Sequence, residues 1–185
     1  MTKLPILNAE DLTLRPFKKK DIPDIVRLAG DKKIYETTLN IPHPYSDKDA
    51  KSWLKFQKEN LEAGKLVTYA VTLAETGGLV GSVSLTVNKR QNQAELGYWI
   101  GRPYWGGGYA TRAARRLIQF GFEEMGLNRI HAHYMVKNPA SGKVMKKVGM
   151  SYEGRLRQAV LKDGEYEDIE VYAILKVDYE DSLVK

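Results

Sequence analysis

The sequence predicts an α/β (α+β) fold in which helices flank a mixed, mostly antiparallel sheet. Three observations lead there: a stretch of alternating residues that reads as three antiparallel strands, a long amphipathic helix set between two strands, and a closing pair of strands joined by a tight turn. Strands that pair as hairpins at both ends, with strand and helix alternating between them, require such a mixed sheet.

Each element has its own signal. Leu12-Thr13-Leu14-Arg15 alternates and stops at Pro16, which has no N–H to give a sheet, so a short first strand is expected. Asp21 to Asp24 opens a helix with Ile22, Ile25, Val26 and Ala29 at helical spacing, and Gly30 ends it. Pro42, His43 and Pro44 make Thr37 to Tyr45 an irregular loop. Ser46 with Asp49 three residues on is a capping signal for a second helix carrying Ala50, Trp53, Leu54 and Leu61, closed by Gly64. From Leu66 the period becomes two. Val67, Tyr69, Val71 and Leu73 point one way, Glu75-Thr76-Gly77-Gly78 turns the chain, and runs over 79–87 and 93–100 complete a meander. Beyond three glycines, Ala110, Ala113, Ala114, Leu117, Gly121 and Met125 trace the long helix, its small residues suited to close packing on a sheet. A strand over 128–136, a helix over 140–148 ended by Gly149, and a strand over 150–160 follow. The turn Lys162-Asp163-Gly164-Glu165 leads into a last strand over 166–177.

Composition sets limits on function. The 185 residues, 43% of them hydrophobic, suit one domain over 1–185. There is no cysteine, which excludes disulfides, thiolate metal sites and an acyl-cysteine intermediate. No run approaches the roughly 18 apolar residues of a membrane span, and Met1 to Glu10 lacks a basic segment followed by an apolar one, so a cytoplasmic protein without membrane partners is expected. A net charge of +6 invites a nucleic-acid reading, yet Lys18, Lys19 and Lys20 lie beside Asp21, and Lys143, Lys146 and Lys147 have apolar residues between them. A basic soluble surface ranks first, a small phosphate-bearing ligand second and nucleic acid third. His131 and His133 share a strand face, but no third ligand follows at a recognisable spacing, so no metal is expected. An oligomer is compatible with all of this.

The chemical signal lies at Ile100-Gly101-Arg102-Pro103-Tyr104-Trp105-Gly106-Gly107-Gly108-Tyr109-Ala110-Thr111. Glycines let main-chain N–H groups approach a ligand, and the helix that begins there adds the positive end of its dipole, so the segment suits an anion. A nucleotide phosphate loop would need Gly-Lys after the fourth intervening residue, where Gly106 is followed by Gly107. A dinucleotide fingerprint would need glycine where Thr111 stands. Both motifs fail.

Trp105-Gly106-Gly107-Gly108-Tyr109-Ala110 instead resembles the Gln/Arg-x-x-Gly-x-Gly/Ala coenzyme A pyrophosphate loop of the Gcn5-related N-acetyltransferases (GNAT), with Trp105 at the first position as in the RimJ/RimL group of ribosomal-protein N-terminal acetyltransferases. Two further segments carry the resemblance: Ala94-Glu95-Leu96-Gly97-Tyr98-Trp99-Ile100, and Asn138-Pro139-Ala140-Ser141 with Val148-Gly149-Met150. It covers about 12–177. It implies a fold whose central parallel strands splay to admit the pantetheine arm, and transfer of acetyl from acetyl-CoA to an amine, first of all the N-terminal amine of a protein and otherwise a small amine. It also implies main-chain contacts at Trp99 and Ile100, a path through Gly101 and Arg102 to the loop from Trp105 to Thr111, and a pantetheine contact at Asn138. Arg112 adds a positive charge near the phosphates or faces solvent.

An amine attacking a thioester must be neutral and must lose a proton, while the enzyme supplies donors to the oxyanion and a proton to the thiolate. The tyrosine acid that many family members carry seven residues after the asparagine is Met145 here. Ser141 is the candidate for the sulfur, or else a first-turn residue satisfying main-chain groups. Glu95 is the acid on the adjoining strand, on one face with Gly97 and Trp99, and is either the base or a paired structural carboxylate. The glutamate some relatives carry in the strand after Gly149 is replaced by Val160. Loops over 37–45 and 160–167 are expected to set acceptor choice.

Overall fold

The computed structural model describes residues 4–184. In chain order it contains β1 (Leu7–Ala9), β2 (Leu12–Arg15), α1 (Ile22–Ala29), α2 (Lys32–Thr37), α3 (Asp47–Glu62), β3 (Leu66–Leu73), β4 (Leu79–Asn88) and β5 (Gln93–Ile100). Then follow α4 (Tyr109–Glu123), β6 (Arg129–Met135), α5 (Pro139–Lys147), β7 (Ser151–Lys162), β8 (Glu165–Leu175) and α6 (Lys176–Leu183). The strands form an eight-stranded sheet in the order β1-β2-β3-β4-β5-β6-β8-β7. All neighbours are antiparallel except β5 and β6, which α4 joins as parallel strands.

Alternation along the strands sends side chains to two different cores. On one face Leu14, Tyr69, Val83, Leu96 and Ile130 are buried with Ala113, Ala114 and Leu117 of α4 and Met145 of α5. On the other, Ala70 and Leu79 are buried with Ile25 and Leu28 of α1 and Ala50 of α3, and Trp53 and Trp99 pack against them. The small residues of α4 let it lie close: a Cβ on Gly121 would come 2.8 Å from Ile130 Cδ1. Ser46 and Asp49 form the reciprocal cap their spacing implies. Asp163 and Gly164 both take positive φ in the tight turn between β7 and β8.

Three elements depart from the sequence reading, each for a local reason. β1 has three residues, too few to show a period, and a tight turn with Glu10 at φ 55° folds it against β2. α2 follows the stop at Gly30 at once, because the Asp31 side chain accepts from Lys33 N and restarts a helix. The last strand ends at Leu175 and not at Val177, since Asp178 accepts from the Leu175 N–H and starts α6, which buries no side chain.

Candidate active site

The parallel pair is short. Gln93, Ala94 and Glu95 face Arg129, Ile130 and His131, and there the pairing stops, although β5 runs on to Ile100 and β6 to Met135. The two strands fork, as the family resemblance implies. Main-chain direction is fixed by two bonds: Asn128 N–H donates to Asn92 O on the β6 side, and Gly101 N–H donates to Val80 O on the β4 side. Strand donors alternate, so the N–H groups of Tyr98 and Ile100 open into the fork, while that of Leu96 belongs to the last rung with His131 and that of Trp99 is turned to β4. The side chain of Trp99 packs on the α1 and α3 face.

At the end of β5 the glycine loop takes shape. Gly106 and Gly108 have φ of 81° and 75°, the latter as the left-handed residue just before α4, and a Cβ on Gly107 would meet the Tyr109 ring at 2.5 Å. The N–H groups of Gly106, Gly107, Gly108, Tyr109, Ala110 and Thr111 have no hydrogen-bond acceptor among the described residues, which leaves a concentrated set of donors at a helix start. Trp105 has a different task from a polar residue. Its Nε1–H donates to Ile100 O at 2.6 Å, tying the loop back to the strand. Gly101 is small because Leu28 lies 2.6 Å from where its Cβ would be, and Arg102 is exposed, 3.9 Å from Asp31. Arg112 is turned back on the glycine loop, its side chain 18% exposed. Its Nη1 donates to Gly107 O at 2.9 Å, its guanidinium lies over the Tyr109 ring, and its Nε sits 2.9 Å from Asp11 Oδ1, out of line for a hydrogen bond.

Two contacts bridge the fork, one on each face. On the α4 and α5 face, Tyr98 Oη lies 2.7 Å from Ser141 Oγ and donates to Ser141 O at 3.0 Å. Burial pushes the Tyr98 phenol up to about 12, with the Ser141 hydrogen bond pulling the other way. The sequence reading missed Tyr98 as a site residue. The available signal was its alternation with Glu95, which sends it toward the helix carrying Ser141. Asn138 precedes α5 with no hydrogen bond from its side-chain amide among the described residues. Met145 is buried in the core, away from any acid role. On the opposite face Glu95 Oε1 lies 3.3 Å from His133 Nδ1, with side chains 41% and 29% exposed. Glu95 and Ser141 therefore serve different sides of the fork. His131 shares the face of Glu95, and burial holds its imidazole below the usual range, against the pull of Glu95. Among the described residues no group of three or more acidic or histidine side chains is placed to hold a metal ion.

Of the loops expected to set acceptor choice, the β7–β8 turn touches Tyr35 of α2, and the 37–45 loop reaches the same ring through His43. The Tyr35 hydroxyl of α2 donates to Asp163 in the β7–β8 turn, Lys162 Nζ lies 3.4 Å from the Tyr35 ring centroid, and the His43 ring lies 5.6 Å from it. His43 Nδ1 is also 3.2 Å from Gly30 O. Val160 stands opposite Glu167, beyond a register shift between Leu156 and Val160. No helix of the described residues is long and apolar enough to cross a membrane.

Comparison with known proteins agrees with this geometry. A family model described as an acetyltransferase (GNAT) domain matches residues 11–151. The spermidine N(1)-acetyltransferase of Vibrio cholerae is 26% identical over 169 residues, 91% of this chain and 95% of that protein. The ribosomal-protein-serine acetyltransferase of Escherichia coli is 28% identical over 134 residues, 66% of this chain and 75% of that protein. Among solved structures, the RimL ribosomal L7/L12 alpha-N-protein acetyltransferase in complex with coenzyme A superposes with a TM-score of 0.85 at 19% identity, covering 92% of this chain and 98% of the other. The chain belongs to the GNAT acetyltransferases, in their RimJ/RimL-like group, and is an acetyl-CoA-dependent N-acetyltransferase.

Proposed function

We propose that this enzyme acetylates the N-terminal amine of a protein or peptide, with acetyl-CoA lying in the fork between β5 and β6. One observation carries the choice of acceptor. A polyamine needs free carboxylates, and those of the β7–β8 hairpin are largely engaged: Glu153 with Arg129, Asp163 with Tyr35, Glu167 with Lys137, Asp168 with Arg155, and Glu170 with Tyr134. An α-amine also makes the smaller chemical demand. Its pKa near 7.7 to 8.0 leaves a useful neutral fraction at pH 7, whereas a lysine-like amine near 10.4 does not. The E. coli relative named for a ribosomal protein agrees with this reading, and the spermidine enzyme supplies its competitor.

In this reading the donors over 106–111 take the pyrophosphate, and the side chain of Asn138 takes the pantetheine amide. The N–H groups of Tyr98 and Ile100 face the thioester carbonyl, a role that the sequence reading gave to Trp99 and Ile100. The amine nitrogen attacks the carbonyl carbon, its proton leaves toward the open face where Glu95 and His133 meet, and the C–S bond breaks as the tetrahedral oxyanion collapses. The thiolate receives a proton from the Ser141 hydroxyl, which Tyr98 holds in place, and the pair is reprotonated by solvent. The test is thiol release from acetyl-CoA with a panel of peptides bearing free amino termini, polyamines and aminoglycosides. Peptides acetylated at the α-amine are expected to turn over fastest. Turnover confined to polyamines would overturn the acceptor assignment.

A further inference from the structure

We infer that His133 is the group that takes the amine's proton, with Glu95 holding its other ring nitrogen. The inference rests on the acetyl-transfer reading above. Glu95 is the last paired residue of β5 at the fork and His133 lies two residues past the last paired residue of β6, so the 3.3 Å contact between Oε1 and Nδ1 crosses the opening on the acceptor face. That length is ion-pair reach, and catalytic hydrogen bonds of this kind often tighten only when substrate is bound. A carboxylate at Nδ1 selects the tautomer with the proton there and leaves the Nε2 lone pair to accept, the same division of labour as in a nucleophile-activating His–carboxylate pair.

Continuing the register Glu95 to His131 by two residues sets His133 level with Gly97. A glycine inside a strand costs about 1 kcal/mol relative to alanine and marks close approach of a ligand or another backbone. At Gly97 a Cβ would touch only Ser84 Oγ, at 3.1 Å, so the face in front of His133 is otherwise open there. One strand step away, about 3.3 Å, the N–H of Tyr98 opens into the fork. An amine in that gap reaches both the imidazole and a carbonyl bound to the Tyr98 N–H. The proton balance is complete: the N–H proton passes to Nε2 as the C–N bond forms, and the imidazolium returns it to solvent after the thiol has left.

Several other charges face this site. They are Glu95 from β5, His131 and the Arg129–Glu153 pair from β6 and β7, and the Lys137–Glu167 pair beside β8. Two of these are closed ion pairs, and burial favours neutral His131. The neighbours of His133 on β8 across the ladder are Val171 and, two residues on, Ala173.

The test is the pH dependence of kcat/KM for a peptide α-amine between pH 5 and 9, in the wild type, His133→Gln and Glu95→Gln. If both the amine and His133 must be neutral, log kcat/KM in the wild type rises with a limiting slope of about two on the acid side, and in His133→Gln with a slope of about one. The variant also loses about 100-fold in kcat at pH 7. Glu95→Gln keeps the slope of two and lowers kcat, because the imidazole loses the carboxylate that holds its other nitrogen. A thermal shift with acetyl-CoA equal to that of the wild type shows that His133→Gln is folded and binds coenzyme; His133→Asn is the second variant if it does not fold. A wild-type slope of about one, unchanged in His133→Gln, overturns the assignment of His133 while leaving acetyl transfer intact. Absence of thiol release from the wild type with every amine overturns the reading beneath it, and the assignment with it.

Discussion

At the residue scale, the division of labour across the fork makes a sharp expectation. Under the proposed mechanism Glu95→Gln and Ser141→Ala each lower kcat at saturating acetyl-CoA, by about 10- to 100-fold, because one would hold the imidazole that takes the departing proton and the other would protonate the departing sulfur. Neither side chain belongs to the pyrophosphate loop, so acetyl-CoA affinity measured by equilibrium titration stays within about twofold. A loss of affinity with kcat unchanged would move both residues from chemistry to binding. In the sequence Glu95 stood out as the acid on the strand adjoining the loop, and Ser141 only through the family resemblance. The sequence did not reveal Tyr98 or His133, because each acquires its meaning from a partner on another element: Ser141 on α5, and Glu95 across the fork. Contacts between residues 43 and 38 positions apart leave no local period to read.

At the scale of elements, α2 and the β7–β8 turn form a clasp over the acceptor side. Lys162, its side chain 6% exposed, is buried against Tyr35, whose hydroxyl bonds Asp163. Because Tyr35 supplies both contacts, Tyr35→Ala frees the turn. Amide exchange over 160–167 accelerates, and KM for the acceptor rises several-fold while KM for acetyl-CoA holds. Equal rises in both would show that the clasp supports the whole fork and not the acceptor alone. The turn, and the loop over 37–45 that follows α2, were read from sequence as loops expected to set acceptor choice. Their joining was not, since α2 is six residues long and was hidden behind the stop at Gly30. The meander, the long helix and the closing hairpin were legible because each repeats its period over eight or more residues.

For the molecule as a whole, stability and ligand binding are separable. We read the chain as one domain, because the sheet runs unbroken from β1 to β7. Near the start of α1, Asp21 is buried, and burial alone would raise its carboxyl. The Arg15 fork, with both nitrogens at 2.8 Å, and the Lys18 N–H at 2.7 Å overcome that and hold it below its ordinary 3.8. A depressed carboxylate contributes stability that is complete above its unfolded pKa and lost as pH falls through the folded one. Asp21→Asn, which leaves Arg15 buried without its partner, should cost about 3 kcal/mol at pH 7. In thermal unfolding across pH 2 to 7 the gap between wild type and variant holds above about pH 5 and narrows below about pH 4. A gap that persists undiminished at pH 2 would mean that packing, and not the charge, sets the cost.

The central claim is that the fork and the six unpaired main-chain donors beside it hold acetyl-CoA, and thermal unfolding in the presence of acetyl-CoA tests it most directly. Ligand bound only to the folded state at 100 times Kd stabilises by about 2.7 kcal/mol, which raises Tm by roughly 5 to 10 °C for a chain of this size. The same titration with Gly107→Ala, whose added methyl collides with the Tyr109 ring and displaces the loop, should require a higher acetyl-CoA concentration for the same rise. A Tm that does not move with acetyl-CoA at any concentration would contradict the account.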